Sequence, residues 1–164
     1  PDVPSESVIK DKYAEDNIHS PHLTWSGAPD GTKSFALSVT DPDLPETFNL
    51  PRSFAHWMVC DIPDDAREIK EGASGTDAMP KGAREFNSDF VTFKIPGFGR
   101  HYGGPWPPDR AHRYVFTLYA LKAAKLALPD DANLEQFSAA VLPVTIASQS
   151  FVAHYGPASK PLPR

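Results

Sequence analysis

The chain has 164 residues and a net charge of −5, and this length suits a single domain, residues 1–164, built around one hydrophobic core. Its 16 basic and 21 acidic side chains are interleaved, which argues against a nucleic acid or an anionic membrane surface as the main partner, since both require a concentrated basic face. The apolar stretches are strand-sized, well short of the roughly 20 residues that a transmembrane helix needs, so membrane insertion is not expected.

Three segments are predicted to be strands, because they are rich in β-branched and aromatic residues and show partial alternation: residues 34–41, 53–62 and 112–121. The 18 prolines and 10 glycines divide the remaining chain into short pieces separated by turns, which is typical of an antiparallel β architecture. Between residues 61 and 108 the chain is rich in loops, and long ordered loops often carry function.

The C-terminal part is predicted to be helical. A helix is expected after Pro129, capped by Asp131 or Asn133, because apolar residues recur there at helical spacing. Pro143 should break or kink this helix, and a second helix of about three turns is expected to follow and to end at Gly156.

The segment DPDLP at residues 41–45 can only be extended or turning, because a residue before a proline is disfavoured in the helical region. Its stiffness can hold the Asp41 carboxylate at the end of a strand. Taken by itself, the segment is more simply a turn in which Asp41 or Asp43 accepts hydrogen bonds from nearby backbone amides.

Two further strands carry titratable side chains. His112 and Tyr114 share a face of their strand because side chains alternate, whereas Arg113 points to the opposite face and is expected to pair with a carboxylate or a carbonyl. A lone histidine such as His56 in an apolar strand is usually a core residue. Two imidazoles and a phenol directed at one point could, however, hydrogen-bond an oxyanion while Asp41 fixes a tautomer.

Four motifs occur along the chain in one order: Asp-Pro-Asp-x-Pro at 41–45, His56-Trp57, Pro107-Pro108 and His112-Arg113-Tyr114. In this order they resemble the phosphatidylethanolamine-binding protein family, also called Raf kinase inhibitor-like proteins, and its bacterial and archaeal branch in particular. The resemblance extends from roughly residue 17 to residue 155. It implies an antiparallel Greek-key β-sandwich with short C-terminal helices, and a cis Leu44–Pro45 bond.

The resemblance also implies a pocket for an anion, formed by Asp41, His56, His112 and Tyr114, with Gly104, Pro105, Pro107 and Pro108 as its wall. Protonated histidines would offset the charges of the aspartate and of a phosphate, so binding is expected to weaken between about pH 6 and pH 8. The chain departs from the family pattern in the spacer at 109–111, in Trp106 and in the longer run at 87–104. Pocket size and ligand choice are therefore expected to differ.

The function implied by the resemblance is that of a binding protein without a cofactor. Its ligand would be phosphate, a phosphorylated small molecule or a head group, and it would regulate or inhibit a partner such as a protein kinase or a protease. The alternative is a hydrolase or phosphohydrolase in which His56 and His112 form an acid–base pair and Asp41 orients one of them. No recognised nucleophile or phosphate-loop motif supports that alternative.

Several other residues carry weaker indications. A Zn or Fe site at Asp41, His56 and His112 is a third possibility that strand spacing alone does not support. His22 and His101 are expected to be ordinary surface or turn residues. Cys60 is the only cysteine, which excludes an internal disulfide and leans toward a reducing compartment.

The cellular compartment and the oligomeric state are less constrained by the sequence. A cytoplasmic location is expected, and because the chain begins at Pro1 without a leader, a periplasmic or secreted form stays open. A monomer and a homodimer fit equally well.

Overall fold

The computed structural model describes residues 7–9, 14, 19–45, 53–91, 101–107 and 110–156. Within these ranges the chain forms eight strands and one α-helix in this order: β1 (Ser7–Val8), β2 (Leu23–Thr24), β3 (Ser34–Asp41), β4 (Phe54–Pro63), β5 (Glu68–Ile69), β6 (Arg84–Glu85), β7 (His112–Leu121), α1 (Leu134–Val141) and β8 (Thr145–Tyr155). Two short 3₁₀ helices lie at Asp89–Val91 and Leu142–Val144. In this part of the chain no helix is long and apolar enough to cross a membrane.

Six strands form one sheet in the order β1-β8-β7-β3-β4-β6, while β2 and β5 form a small second sheet. Neighbours are antiparallel throughout, except that β1 runs parallel to β8. The mainly β fold and the three predicted strands are confirmed. Because β3 is antiparallel to both β4 and β7, the end of β3 meets the beginnings of β4 and β7 at the same end of the sheet.

Apolar side chains cover both faces of the large sheet. On one face they pack with the small β2–β5 sheet and its neighbouring loops: Phe35, Leu37, Val39, Trp57, Ile69, Tyr102, Tyr114 and Phe116. On the other face they pack with α1: Ala36, Ala55, Met58, Phe86, Leu121, Phe137 and Val141. Alternation along β3 explains why neighbouring residues of one strand belong to two different cores.

The predicted first helix is present as α1. Asn133 is its N-cap: the Asn133 side chain accepts from the Gln136 amide at 2.9 Å, and the Gln136 side chain accepts from the Asn133 amide at 3.0 Å. This reciprocal capping box satisfies two backbone donors that the first turn would leave unpaired. Phe137 and Val141 are the buried residues of the helix, and Pro143 lies in the 3₁₀ turn that follows it.

The predicted second helix is wrong, because Thr145–Tyr155 form strand β8 and pair with β7 along its length. The segment contains Ile146, Phe151 and Val152, which are residue types that favour strands. The helical spacing of the apolar residues in this segment therefore reflected only a weak local preference for a helix. Pairing with β7 decides the structure, because tertiary contacts routinely outweigh local propensity.

Candidate functional site

A cavity of about 70 Å³ opens at the end of the sheet where β3 ends and β4 and β7 begin. Its wall holds one carboxylate, one imidazole and one phenol among apolar side chains: Asp41, Leu44, Phe54, His56, Phe90, Trp106, Pro107 and Tyr114. Pockets that enclose drug-sized ligands have roughly 300 to 1,000 Å³. This cavity therefore suits a small chemical group rather than a whole organic ligand.

Asp41, the last residue of β3, is buried and has both carboxylate oxygens occupied. Its Oδ2 lies 2.6 Å from Nδ1 of His112, and its Oδ1 accepts the backbone N–H of Asp43 at 2.7 Å. Distances this short are typical of hydrogen bonds to an ionised group. Asp41 thus forms the turn suggested by its sequence context and also presents its side chain to the cavity.

The turn after Asp41 is tied to β7 by a second aspartate. Asp43 accepts from the backbone amide of Arg113 at 2.8 Å and from the guanidinium Nη2 and Nε at 2.7 and 3.0 Å. The predicted carboxylate partner of Arg113 is therefore confirmed. The predicted cis Leu44–Pro45 bond is wrong: no cis peptide bond occurs in the described ranges, which accords with the trans preference of about 0.5 to 1 kcal/mol.

Replacing this second aspartate by asparagine, Asp43→Asn, is expected to lower the free energy of unfolding. It should also make the free energy of unfolding depend less on pH in the acid range. Hydrogen bonding to Arg113 lowers the pKa of Asp43 from 3.8 to about 2. The folded state therefore binds fewer protons than the unfolded state, so the pair stabilises the fold above about pH 4 and its contribution is lost as the pH falls toward 2. Urea unfolding between about pH 6 and pH 3 measures this slope.

The matched control for Asp43→Asn is Asp130→Asn, which removes an ion pair with Arg84 at 3.0 Å whose aspartate is exposed. That variant should keep the acid dependence of the wild type. If the stability curves of Asp43→Asn and the wild type ran parallel across the acid range, the Asp43–Arg113 pair would make no contribution to acid sensitivity.

His56 sits at a β-bulge. Its neighbours Ala55 and Trp57 both pair with β3, whereas His56 has no partner there. A bulge turns a side chain out of the regular alternation and is common beside functional sites. The Nδ1–H of His56 donates to the Gly103 carbonyl at 2.8 Å, since a carbonyl oxygen can only accept, so Nε2 is the nitrogen through which His56 can reach a ligand.

Aromatic rings surround the His56 imidazole. The ring centroids of Phe54, Tyr114 and Phe90 lie 4.8, 5.2 and 5.3 Å from its own. Burial among them lowers the pKa of His56, and the negative charge of Asp41 opposes this shift only in part. The unliganded site therefore holds a neutral imidazole at neutral pH.

The hydroxyl of Tyr114 is buried and has no hydrogen-bond partner among the residues described. Burial raises the pKa of this phenol, so the group remains a hydrogen-bond donor at every physiological pH. A buried polar group without a partner costs about 1–3 kcal/mol. An acceptor atom that entered the cavity could satisfy such a group.

The structure brings Asp41, His56 and Tyr114 together on the cavity wall, and of the predicted wall residues Pro107 lies there. The other predicted site residues differ in their placement. His112 is fully buried and contacts Asp41 without lining the cavity. Gly104 and Pro105 are buried and do not line the cavity themselves, although the Gly104 backbone hydrogen-bonds His56. Pro108 lies outside the described residues.

Four lining residues were missed by sequence reasoning as members of the site: Leu44, Phe54, Phe90 and Trp106. Apolar side chains in and near strands look the same in a sequence whether they fill a core or line a pocket. Trp106 carried a signal, since it departs from the family pattern next to the Pro107–Pro108 motif, and it is 44% exposed at the cavity.

Glu85 was also missed, although it holds the segment that precedes the cavity wall. Its Oε2 accepts from the Trp57 indole N–H at 2.8 Å and from the Ser74 hydroxyl, and its Oε1 accepts the Gly75 amide at 2.7 Å. The Ser74 hydroxyl oxygen in turn accepts the Tyr102 amide at 2.8 Å. Glu85 thereby links β4 to the chain that leads into the wall.

His22 and His101 agree with their predicted roles as ordinary surface or turn residues. His22 is exposed and lies 2.9 Å from Glu68, while His101 is exposed and lies 3.5 Å from Glu85. Within the described ranges, no group of three or more His, Cys, Asp or Glu side chains could hold a metal ion.

Comparison with known proteins places this arrangement in a family. The model of the family described as phosphatidylethanolamine-binding protein matches residues 1–156. The UPF0098 protein YbhB of Escherichia coli (strain K12) is 37% identical over 122 residues, covering 74% of this chain and 70% of that protein. A UPF0098 protein of Aquifex aeolicus (strain VF5) is 41% identical over 117 residues, covering 70% of this chain and 60% of that protein.

Solved structures show the same fold. Escherichia coli YbcL, described as a member of the mammalian PEBP family, matches with a TM-score of 0.81 and 27% identity over 92% of both chains. The PEBP homologue CT736 of Chlamydia trachomatis matches with a TM-score of 0.78 and 28% identity, over 94% of this chain and 93% of that one. By family model, sequence identity and structure, this chain belongs to the phosphatidylethanolamine-binding protein family.

Proposed function

We propose that this protein binds a small anionic group, namely phosphate or the phosphoryl group of a larger ligand, in the cavity at the end of β3. Through that pocket it regulates or inhibits a partner protein. The observation that carries the proposal is the buried Tyr114 hydroxyl, which has no partner in the described part of the chain and shares the cavity wall with His56. An entering acceptor oxygen would remove the cost of that unpaired donor.

The donors suit an oxyanion. Tyr114 supplies an O–H, and His56 supplies Nε2, which can take up a proton as the anion enters. The charge of Asp41 is already engaged by His112 and by a backbone amide. A phosphate oxygen that still carries its proton can donate to this carboxylate, which makes the aspartate compatible with an anionic ligand.

The apolar part of the wall strengthens these interactions. The rings of Phe54 and Phe90 lie against His56 and restrict water around it. Hydrogen bonds and charge interactions are stronger where the local dielectric is low. Two donors in this low-dielectric wall should therefore contribute more to the free energy of anion binding than the same two donors on an open surface.

The regulatory part of the proposal rests on size and on Trp106. A cavity of about 70 Å³ takes the phosphoryl group and leaves the rest of any ligand outside. Trp106 is 44% exposed at the cavity, and exposed aromatic residues are enriched where partner proteins bind. A phosphorylated side chain of a partner could thus fill the cavity while its neighbouring residues cover Trp106.

The hydrolase alternative rests on the Asp41–His112 contact, since an aspartate can orient a general base in this way. His112 is 0% exposed and is not on the cavity wall, so it is not placed to reach a substrate. None of the described lining residues is a serine, threonine or cysteine that could act as a nucleophile. Binding is therefore the better proposal.

Titration calorimetry at about pH 6 tests the proposed ligand class, with phosphate, phosphoethanolamine and ethanolamine as separate probes. Phosphate and phosphoethanolamine should bind saturably at one site, and ethanolamine should not, because only the first two carry the anion. Binding of ethanolamine with similar affinity, or of none of the three, would contradict an anion site.

Sulfate binding is expected to weaken as the pH rises from about 5 to 8, because the free site holds His56 with a lowered pKa and a bound anion would raise it. Binding then takes up a proton, and the affinity falls by up to about tenfold per pH unit between the two pKa values. Sulfate is the probe because a phosphate ester itself titrates near pH 6. Sulfate carries no proton to donate to Asp41, so it should bind more weakly than phosphate at pH 6, but its pH dependence comes from the protein alone. The measurement is a set of sulfate titrations across this range.

Two histidine variants identify the group responsible for that pH dependence. His56→Gln should bind sulfate with little dependence on pH, whereas His22→Gln, which alters an exposed ring beside Glu68, should behave as the wild type. A wild-type slope in His56→Gln would show that another group takes up the proton.

A further inference from the structure

The anion proposed above would share its cavity with a carboxylate. Asp41 lines the same wall as the two donors, Tyr114 and His56. Its negative charge acts on both of them: burial lowers the pKa of His56 and the charge of Asp41 opposes this shift, while burial and then the charge of Asp41 raise the pKa of Tyr114. Two negative charges in one small cavity oppose binding unless a proton lies between them.

The Asp41 side chain is held in place and cannot easily turn away from the cavity. It is 3% exposed, its Oδ2 lies 2.6 Å from Nδ1 of His112, and its Oδ1 accepts the Asp43 amide at 2.7 Å. The Asp43 side chain is itself bound by Arg113, which fixes the turn that follows Asp41. A rotation of the Asp41 side chain would break both of its hydrogen bonds in a buried setting, where such losses are costly. The carboxylate is therefore a fixed part of the cavity wall.

This fixed carboxylate can still accept a hydrogen bond from a ligand. An ionised carboxylate offers about four acceptor positions on its two oxygens. The contacts with His112 and with the Asp43 amide use two of them. A ligand that donates an O–H can therefore hydrogen-bond Asp41, whereas a ligand oxygen without a proton is repelled by it. Sites that hydrogen-bond a ligand hydroxyl reject analogues that lack it, because buried polar groups are then left unpaired.

We propose that Asp41 makes the cavity selective for a tetrahedral oxyanion that retains one acidic proton, namely phosphate or a phosphate monoester. The inference rests on the proposed function, since it requires that the cavity binds a phosphoryl group, and it narrows the class of ligand. The bound ligand accepts from Tyr114 and His56 and donates its remaining O–H to Asp41. A sulfate ester and a phosphodiester, such as the head group of a phospholipid, carry a single negative charge but no such proton, so the site disfavours both.

Methyl phosphate and methyl sulfate are a matched pair of probes for this selectivity. They have nearly the same size and shape, and at about pH 5 each is mainly a monoanion, because the second ionisation of a phosphate monoester lies near pH 6. They differ in the single O–H that methyl phosphate keeps. Glycerophosphoethanolamine, a phosphodiester, represents the lipid head group. Calorimetric titration of the wild-type chain with each of the three probes measures the preference.

Methyl phosphate should bind roughly tenfold to a hundredfold more tightly than methyl sulfate or the phosphodiester, the range expected for a hydrogen bond to a charged group. If methyl sulfate or the phosphodiester bound as tightly as methyl phosphate, the selectivity would be overturned while the anion site remained. If none of the three probes bound, the proposed function would fail and the selectivity with it.

The variant Asp41→Asn assigns the preference to this residue. A neutral amide no longer repels an oxygen without a proton, so the variant should bind methyl sulfate more tightly than the wild type does and should lose most of the preference for methyl phosphate. The matched control is Asp43→Asn, which removes the same charge from a neighbouring aspartate that does not line the cavity and should keep the wild-type preference. A wild-type preference in Asp41→Asn would overturn the role of Asp41, and the wild-type titrations decide the selectivity even if this variant does not fold.

Discussion

Replacing Asp41 by alanine is expected to destabilise the fold by about 3–5 kcal/mol, the cost typical of removing one partner from a buried pair. The change leaves Nδ1 of the fully buried His112 without the carboxylate that now lies 2.6 Å away. It also removes the acceptor of the Asp43 amide, which shapes the turn after β3. Urea unfolding at neutral pH measures the loss.

Two other substitutions separate the buried pair from the turn. Asp41→Asn keeps an amide oxygen that can accept from His112, so its loss should be smaller than that of Asp41→Ala. Asp43→Ala breaks a pair whose partner, Arg113, is largely exposed, and should also cost less. If Asp41→Ala were no more destabilising than Asp43→Ala, the buried pair would not be a major support of the fold.

Tyr114→Phe is expected to weaken phosphate binding by roughly tenfold to a hundredfold, because a hydrogen bond to a charged group contributes about 1.5–3 kcal/mol. The same change should leave the unliganded protein equally stable or more stable, since it removes a buried hydroxyl without a described partner and keeps the ring. Calorimetric titration and urea unfolding of one preparation measure both quantities.

Tyr119→Phe is the matched control for Tyr114→Phe. Tyr119 lies on the same strand but packs against the other core, away from the cavity, so phosphate affinity should not change. A loss of stability in Tyr114→Phe without a loss of affinity would mean that the hydroxyl serves the fold rather than a ligand. A substitution that preserves or raises stability but weakens ligand binding is expected only where the group it removes serves binding rather than folding.

The sequence was sufficient to predict three of the four long strands and the carboxylate, imidazole and phenol on the cavity wall. Alternation put Tyr114 on the same face of β7 as His112 and put Arg113 on the opposite face. The DPDLP segment marked the end of β3. The family resemblance then joined Asp41, His56 and Tyr114, and the antiparallel order of the sheet explains their meeting: β3 ends where β4 and β7 begin.

What the sequence left undetermined depends on contacts between distant residues. The bulge that directs His56 exists only because its neighbours pair with β3, and the strand β8 exists only because β7 lies beside it. The partner of His112, Asp41, is 71 residues away in the chain, and that of the Trp57 indole, Glu85, is 28 residues away. Local patterns carry no record of such pairings, so the second helix was wrongly predicted and Glu85 was overlooked.

The proposed anion binds between the Tyr114 hydroxyl and Nε2 of His56. Nitrogen–proton NMR of the histidine rings during a phosphate titration at about pH 6 tests this most directly, because each ring nitrogen reports its own proton and partner. The proposed site predicts a saturable shift of Nε2 in His56 toward the protonated state, with little change in the exposed His22. Shifts confined to exposed histidines, or no shift at His56 at saturating phosphate, would contradict it.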